Sequence, residues 1–457
     1  MAEKMKFCRD VNENPCNMCM PMGGIIALKG IAGSMVILHG SQGCSTYMRR
    51  HIAEHFNEPI DVGSSSLNEK GTIYGGEKNL EQALDNVRKV YQPQMIGILT
   101  TCLAETIGED VDRFAGEYQR KNGLEDFPLV TAPTPGYGLS HDEGYWFTAR
   151  RILTCLTKPA DGHNKVNIIV PNISPADIRE IKRILELTGI EYTLFPDISD
   201  ALDRPFERPY TKVTGKGTLV DEIKAMSGAV ATLQMGVTVE DAFSPGQYLQ
   251  DTFGVPLYNV PLPIGLTNMD RFMTALQEIT GKSVPDSLLQ ERGRLLDGMI
   301  DSHKYNFQGR GIIFGDPELV YALTTACLEN GVHPVVAATG SRSERLAKLL
   351  NLSLPDGSEP LQILTETDFD RIRQWSEEGG ANVAIGHSGG RYLEEQAGIP
   401  LIRIGFPILD RVGGQRILSV GYGGTMQFLD RVTNTLLEHK HKTYRKKMYE
   451  QFYCAAN

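Results

Sequence analysis

What this chain lacks narrows its function before any motif is read. It contains no stretch of about 18 uninterrupted apolar residues, so no segment reads as a membrane-spanning helix. The opening run MAEKMKFCRDVNENPCNMCM has charges with no apolar block behind them, so no secretory leader is expected and the chain reads as cytoplasmic. Positive charge is in deficit, with 46 Lys and Arg against 56 Asp and Glu, which removes the electrostatic case for a nucleic-acid partner. Cysteine is scarce, at 8 in 457 residues, too few for a secreted disulfide scaffold. In a reducing compartment such thiols are buried, catalytic or metal-bound. Neither GGEKN nor GHSGGR has the spacing and closing Lys-Ser or Lys-Thr of a phosphate loop, so the chain is not expected to hydrolyse ATP itself. No HExxH helix occurs and no nucleophile elbow is anticipated, so hydrolase chemistry has no anchor.

What is present is a repeated alternation of short β-branched runs, Gly-, Pro-, Asn- or Ser-rich turns and helical segments. MVILHG (35–40) and QMIGILTTC (94–102) read as buried strands with a helix over 80–91 between them. A second series opens with a strand at 166–170, then Ser174 as N-cap, Pro175 in the first turn and Gly189 as C-cap. AVATLQM and VPLYNV continue it. A third begins with a strand at 312–314, a helix capped by Asp316, and a strand at 335–338, followed by ANVAIGH and IPLIRIGF. Strands alternating with helices imply parallel sheets, so the expected fold is α/β, with three doubly wound Rossmann-like domains. Their expected spans are 1–160, carrying the clustered cysteines, then 161–306, then 307–457 with a helical tail. SHKYN (302–306) reads as a polar contact at the second joint, and the basic end as a solvated helix.

Cys8, Cys16, Cys19 and Cys44 fall in the first tenth of the chain, and Cys102 follows. Ligands of doubly wound sheets gather where strands end and loops begin. Cys44 follows the first strand, Cys102 ends the next, and Cys19 precedes a loop entering a helix, so the three can face one site. The bland alternative is three isolated buried thiols. It weakens because glycine flanks the positions. Thiolates in such a group suit zinc or an iron-sulfur cluster, and the second CxxC of a zinc ribbon is missing. Widely spaced thiols fit a cluster completed by a partner chain, with Gly40 and Gly43 letting backbone approach the inorganic sulfur. His39, His51 and His55 lie nearby and are expected to be hydrogen-bonded or surface histidines rather than ligands.

CMPMGGIIALKGI, HGSQGC, SSSLNEKGTIYGG and ILTTCLAETIGEDV resemble the β-type subunits of nitrogenase component 1 and their relatives. The likeness runs on through TNMDRFMTALQEITGKSVP, IGHSGGRY and GFPILDRVGGQRILSVGYGG, nearly the whole chain. The resemblance implies that Cys19, Cys44 and Cys102 are ligands of a P-type 8Fe-7S cluster shared with a homologous α-type subunit in an α2β2 heterotetramer. A 4Fe-4S cluster is the alternative. Electrons would arrive from a transiently docking ATP-dependent 4Fe-4S reductase and leave toward a cofactor in the α-type subunit. Neither a nucleic acid nor a membrane is expected as partner. Amides around Gly43 and Gly97 are expected beside the cluster, and Gly136 stands where many catalytic relatives carry a serine. Cys16 is a bystander or a substitute for Cys19. The chain lacks the long N-terminal extension of molybdenum-nitrogenase β-subunits, which argues against that identity. Two readings follow: the electron-relaying β-subunit of a reductase such as methylthio-alkane reductase, or a NifN-type scaffold for cofactor assembly. A plain nucleotide- or sugar-handling α/β protein leaves the cysteines unexplained.

Overall fold

The computed structural model describes residues 15–137, 139–355, 357 and 359–454; Cys8 lies outside them. Among the described residues thirteen strands form three sheets, and every strand pair is parallel. The first sheet has the order β2-β1-β3-β4, built from β1 (Ser34–His39), β2 (Gly63–Ser64), β3 (Met95–Thr100) and β4 (Leu129–Ala132). The second, β6-β5-β7-β8, contains β5 (Val166–Ile169), β6 (Tyr192–Phe195), β7 (Ala231–Gln234) and β8 (Leu257–Asn259). The third runs β11-β10-β9-β12-β13, from β9 (Arg310–Phe314), β10 (His333–Ala338), β11 (Gln362–Leu364), β12 (Val383–Gly386) and β13 (Leu401–Arg403). Helices on the sheet faces make this the expected α/β architecture. Among the described residues no helix is long and apolar enough to cross a membrane.

The central strands are continuous apolar runs because both faces are covered: all six residues of β1 and all six of β3 are buried. The helix at Pro175–Thr188 starts as its sequence dictates, with the Ser174 hydroxyl accepting the Asp177 N–H and Gly189 closing it at φ 64°. Asp316 departs from expectation. It sits at the N-cap position of Pro317–Glu329 without capping, because its carboxylate is turned to His141 Nε2, 2.9 Å away. Ser302 and Asn306 do make polar contacts, receiving a hydrogen bond from Asn330 and from Thr433 respectively.

One element ties the sheets together. In the helix Met20–Lys29 every residue from Met20 to Leu28 is buried, as an all-apolar helix must be. A Cβ on Gly24 would lie 2.9 Å from Leu99 of β3, and one on Gly30 would lie 2.6 Å from Pro196, after β6. Its N-terminal turn crosses the helix His141–Leu156 at backbone contact, so that a Cβ on Gly23 would fall 1.7 Å from the His141 carbonyl oxygen and one on Gly144 2.1 Å from that of Met20. Its hydrophobic core extends to Ile168 and Ile313 in the other two sheets.

Candidate functional site: a thiol face at three helix starts

Each expected ligand stands at the N-terminal end of a helix. Cys19 is the residue before Met20–Lys29, Cys44 lies in the first turn of Gln42–Phe56, and Cys102 opens Cys102–Thr106. Unpaired N–H groups and the positive end of the helix dipole favour a thiolate at such positions. All three thiols are free and half-buried, so each retains a solvent-facing side.

The topology brings them together. Strands β1 and β3 are hydrogen-bonded neighbours, His39 opposite Thr100, so the loops that follow them share one sheet end. Gly40 lets those loops close: a Cβ there would lie 2.0 Å from the Thr101 hydroxyl. Its role is thus contact between the loops and not an approach to inorganic sulfur. Cys19 arrives from the other side by pairing with Ser140, while Met18 accepts the His141 N–H and donates its own to His141 Nδ1. Burial, then the neighbouring Cys102 and Cys44, pushes the Cys19 thiol up to about 11. Cys19 therefore resists ionisation until a cation compensates the charge at this face.

Gly136 is the closest neighbour of this face. Its N–H points at Cys102 Sγ, 3.2 Å away, and a Cβ on it would lie 2.1 Å from Cys19 Sγ and 3.5 Å from Cys102 Sγ. The loop is pinned by Thr134, whose N–H reaches the Thr100 hydroxyl and whose hydroxyl reaches the Thr100 carbonyl. Gly43 lies exposed in the first turn beside Cys44, with only the Ser41 hydroxyl within 4 Å of an added Cβ, at 3.9 Å. Gly97 belongs elsewhere. It sits in mid-strand in β3, where a Cβ would lie 2.3 Å from Leu28, so its purpose is to admit the central helix.

Cys16 turns away from this face. It is 2% exposed, its sulfur lies 3.7 Å from His387 Nε2, and burial raises its thiol strongly. It packs with Phe314 and Phe369 of the third sheet's core, which removes it as a substitute ligand. The histidines are likewise engaged: His39 with Glu109 at 3.2 Å, His55 by accepting the Ile408 N–H, and His51 edge-on to Tyr47.

Two patterns escaped the sequence reading. Residues 386–390, GHSGG, formally match a nucleophile elbow, and His51 to His55 match HxxEH. Ser388 donates to Asp410, itself paired with Arg403, and receives the Leu409 N–H, so no base activates it. Among the described residues no three His, Cys, Asp or Glu side chains are grouped to hold a single metal ion. A half-open set of three thiols with a glycine-lined floor instead fits a larger iron-sulfur group completed from outside the chain.

Comparison with known proteins gives the family. A family profile described as nitrogenase component 1 type oxidoreductase matches residues 19–437. The chain is 34% identical to the nitrogenase molybdenum-iron protein beta chain of Clostridium pasteurianum, covering 93% of each. It is 33% identical to that of Methanothermobacter marburgensis, over 98% of this chain and 99% of the other. A solved structure of nitrogenase Cp1 superposes with a TM-score of 0.89 at 34% identity, covering 93% of both chains. The match spans nearly the whole of these relatives, so length does not set this chain apart from such beta chains.

Proposed function

The chain belongs to the nitrogenase component 1 type oxidoreductases, and on that premise we propose that it is the β-type subunit of a nitrogenase-like reductase complex of the methylthio-alkane reductase kind. Cys19, Cys44 and Cys102 are its cluster ligands, at an interface with a homologous α-type subunit in an α2β2 assembly. When bound, a P-type 8Fe-7S cluster supplies electron relay from an ATP-dependent 4Fe-4S reductase to a cofactor in the α-type subunit. The observation that carries the reading is the convergence of three half-exposed thiols at helix starts, with Gly136 against Cys19 and Cys102 and with Cys44 close enough to act on Cys19.

The chain's own contribution is rigid placement of sulfur. Cys19 is fixed by a fully buried helix, Cys44 and Cys102 by adjacent strands. The Gly136 N–H beside Cys102 stabilises negative charge on that thiolate, which would favour the reduced, more negatively charged partner of a redox pair. With glycine at 136, no side-chain oxygen there can join the ligand set on oxidation.

The test is anaerobic purification with the α-type partner, iron quantification and EPR across a redox titration, with reductase, ATP and a methylthio-alkane supplied. A P-type signal with hydrocarbon release supports the proposal. A four-iron signal, no turnover and transfer of a cofactor to an apo-enzyme would favour a NifN-type scaffold. In the same assay Cys44→Ala is expected to lose the interface cluster while the three sheets stay folded; unchanged iron content and spectra in that variant would remove the ligand assignment.

A further inference from the structure

The helix Met20–Lys29 fixes the chain after Cys19, and a different device fixes the chain before it. Met18 is held twice by one residue, His141. Its carbonyl accepts the His141 N–H at 3.0 Å, and its own N–H reaches His141 Nδ1 at 3.1 Å. The imidazole is buried, and its ring packs against Phe406 with centroids 5.6 Å apart.

The direction of these bonds assigns the ring. Because Met18 donates to Nδ1, that nitrogen is the acceptor and the ring hydrogen belongs to Nε2. Nε2 faces Asp316 Oδ1 at 2.9 Å, an ion-pair distance that is not in line for a hydrogen bond, so the carboxylate acts on this N–H chiefly through its charge. The other oxygen of Asp316 receives the Asn172 amide at 3.5 Å, from the turn after β5. One carboxylate of the third sheet thus meets residues flanking the other two. A negative charge beside Nε2 keeps the hydrogen there and leaves Nδ1 free to accept. We propose that His141, held in this tautomer by Asp316, is the positioning residue of the thiol face and sets where Cys19 Sγ stands over Gly136. Its consequence for the potential of a bound cluster rests on Cys19 being a ligand; its effect on the sulfur itself does not.

Position matters there because the fit is tight on one side. A Cβ on Gly136 would lie 2.1 Å from Cys19 Sγ, so the sulfur already touches the glycine backbone and cannot drop toward the floor, whereas its solvent side is open. A backbone shift at residue 18 therefore carries the sulfur outward and changes its separation from Cys102 Sγ, which lies against the same glycine. The helix His141–Leu156 does not need the imidazole in order to start. Its capping box joins Ser140 and Glu143, and the Ser140 hydroxyl is 2.7 Å from that of Ser341. The bond from Met18 to the ring is thus left with placement of the ligand segment as its effect.

The experiment compares His141→Asn with His141→Gln. The Asn oxygen stands where Nδ1 does and can accept the Met18 N–H, while the Gln amide reaches toward Asp316 and leaves Met18 without its acceptor. In the full chain stripped of cluster, the rate of alkylation at Cys19 relative to Cys102, resolved by mass spectrometry, should change by roughly threefold or more in His141→Gln and stay near wild type in His141→Asn. In the loaded complex the midpoint potential from an EPR titration should move in the Gln variant and not in the Asn variant. Asp316→Asn, whose amide can donate to Nε2 and draw the ring hydrogen to Nδ1, should change the alkylation ratio in the same sense as Gln. A ratio unmoved by His141→Gln, or moved equally by Asn and Gln in step with their unfolding midpoints, would overturn the assignment. A ratio unmoved by Asp316→Asn would overturn the role of the carboxylate. The alkylation ratio needs no cluster, so it stands or falls separately from the iron content of Cys44→Ala.

Discussion

Cys16 and Cys19 are three residues apart in one CxxC, yet they belong to different parts of the molecule. Cys16 is drawn into the third sheet: its N–H bonds the Thr367 carbonyl, its sulfur meets His387, and the next residue, Asn17, donates to Gly340. Cys19 stays with the first sheet, at the start of the buried helix and over Gly136. Identical chemistry in sequence thus has opposite uses. A thiol is available as a ligand where backbone donors and open space surround it, and serves as a small apolar filler where packing closes over it.

Substitution separates the two most sharply. Cys19→Ala should remove the cluster, read as lost iron and lost EPR signal, whereas Cys16→Ala should retain both and lower stability by about 1–2 kcal/mol through lost packing. Equal iron loss in the two variants would erase the contrast. Next in size is the floor of the thiol face. Gly136→Val places side-chain atoms where Cys19 Sγ lies, so cluster occupancy should fall severalfold, with Cys19 more accessible to an alkylating reagent in the cluster-free chain. Gly144→Ala probes the helix crossing behind Cys19. Its Cβ would meet the Met20 carbonyl, and overpacking should cost about 1–3 kcal/mol, seen as a lower unfolding midpoint.

How much of this was legible in sequence follows the same division. Strands buried on both faces announce themselves as apolar runs, and β1, β3, β5, β7, β9, β10 and β12 fall where the pattern puts them. The strands the pattern missed, β2, β4, β6 and β11, are all edges of two to four residues, too short to read as runs, whereas the edges β8 and β13 were found inside the longer apolar segments VPLYNV and IPLIRIGF. Cys44 and Cys102, proposed as ligands, drew notice because they follow buried strands, at the end where a doubly wound sheet gathers its ligands. Gly97 misled because a glycine needed for helix packing looks the same as one beside a ligand. Cys16 was ambiguous because its partner, His387, is 371 residues away.

The smallest effect concerns the seam that holds Cys16. Burial lowers His387 from its ordinary 6.5 to about 4, against the pull of Asp316 and with the help of His141. The unfolded chain therefore takes up a proton near 6.5 that the folded chain refuses until about 4. Over that window the unfolded state binds more protons, so this site's contribution to stability falls as pH falls, and it is flat again below about 4. His55, brought to about 3 by burial, acts in the same sense at the neighbouring contact with Ile408. Replacing His387 by Gln keeps a polar group near Cys16 and removes the titration, so the stability of the variant should depend less steeply on pH, by up to about 1.4 kcal/mol per unit. Unfolding midpoints of wild type and His387→Gln at pH 7 and pH 5 measure the difference. Parallel slopes would mean that the seam opens without exposing His387, and that Cys16 is held by the backbone contacts to Thr367 and Gly340 alone.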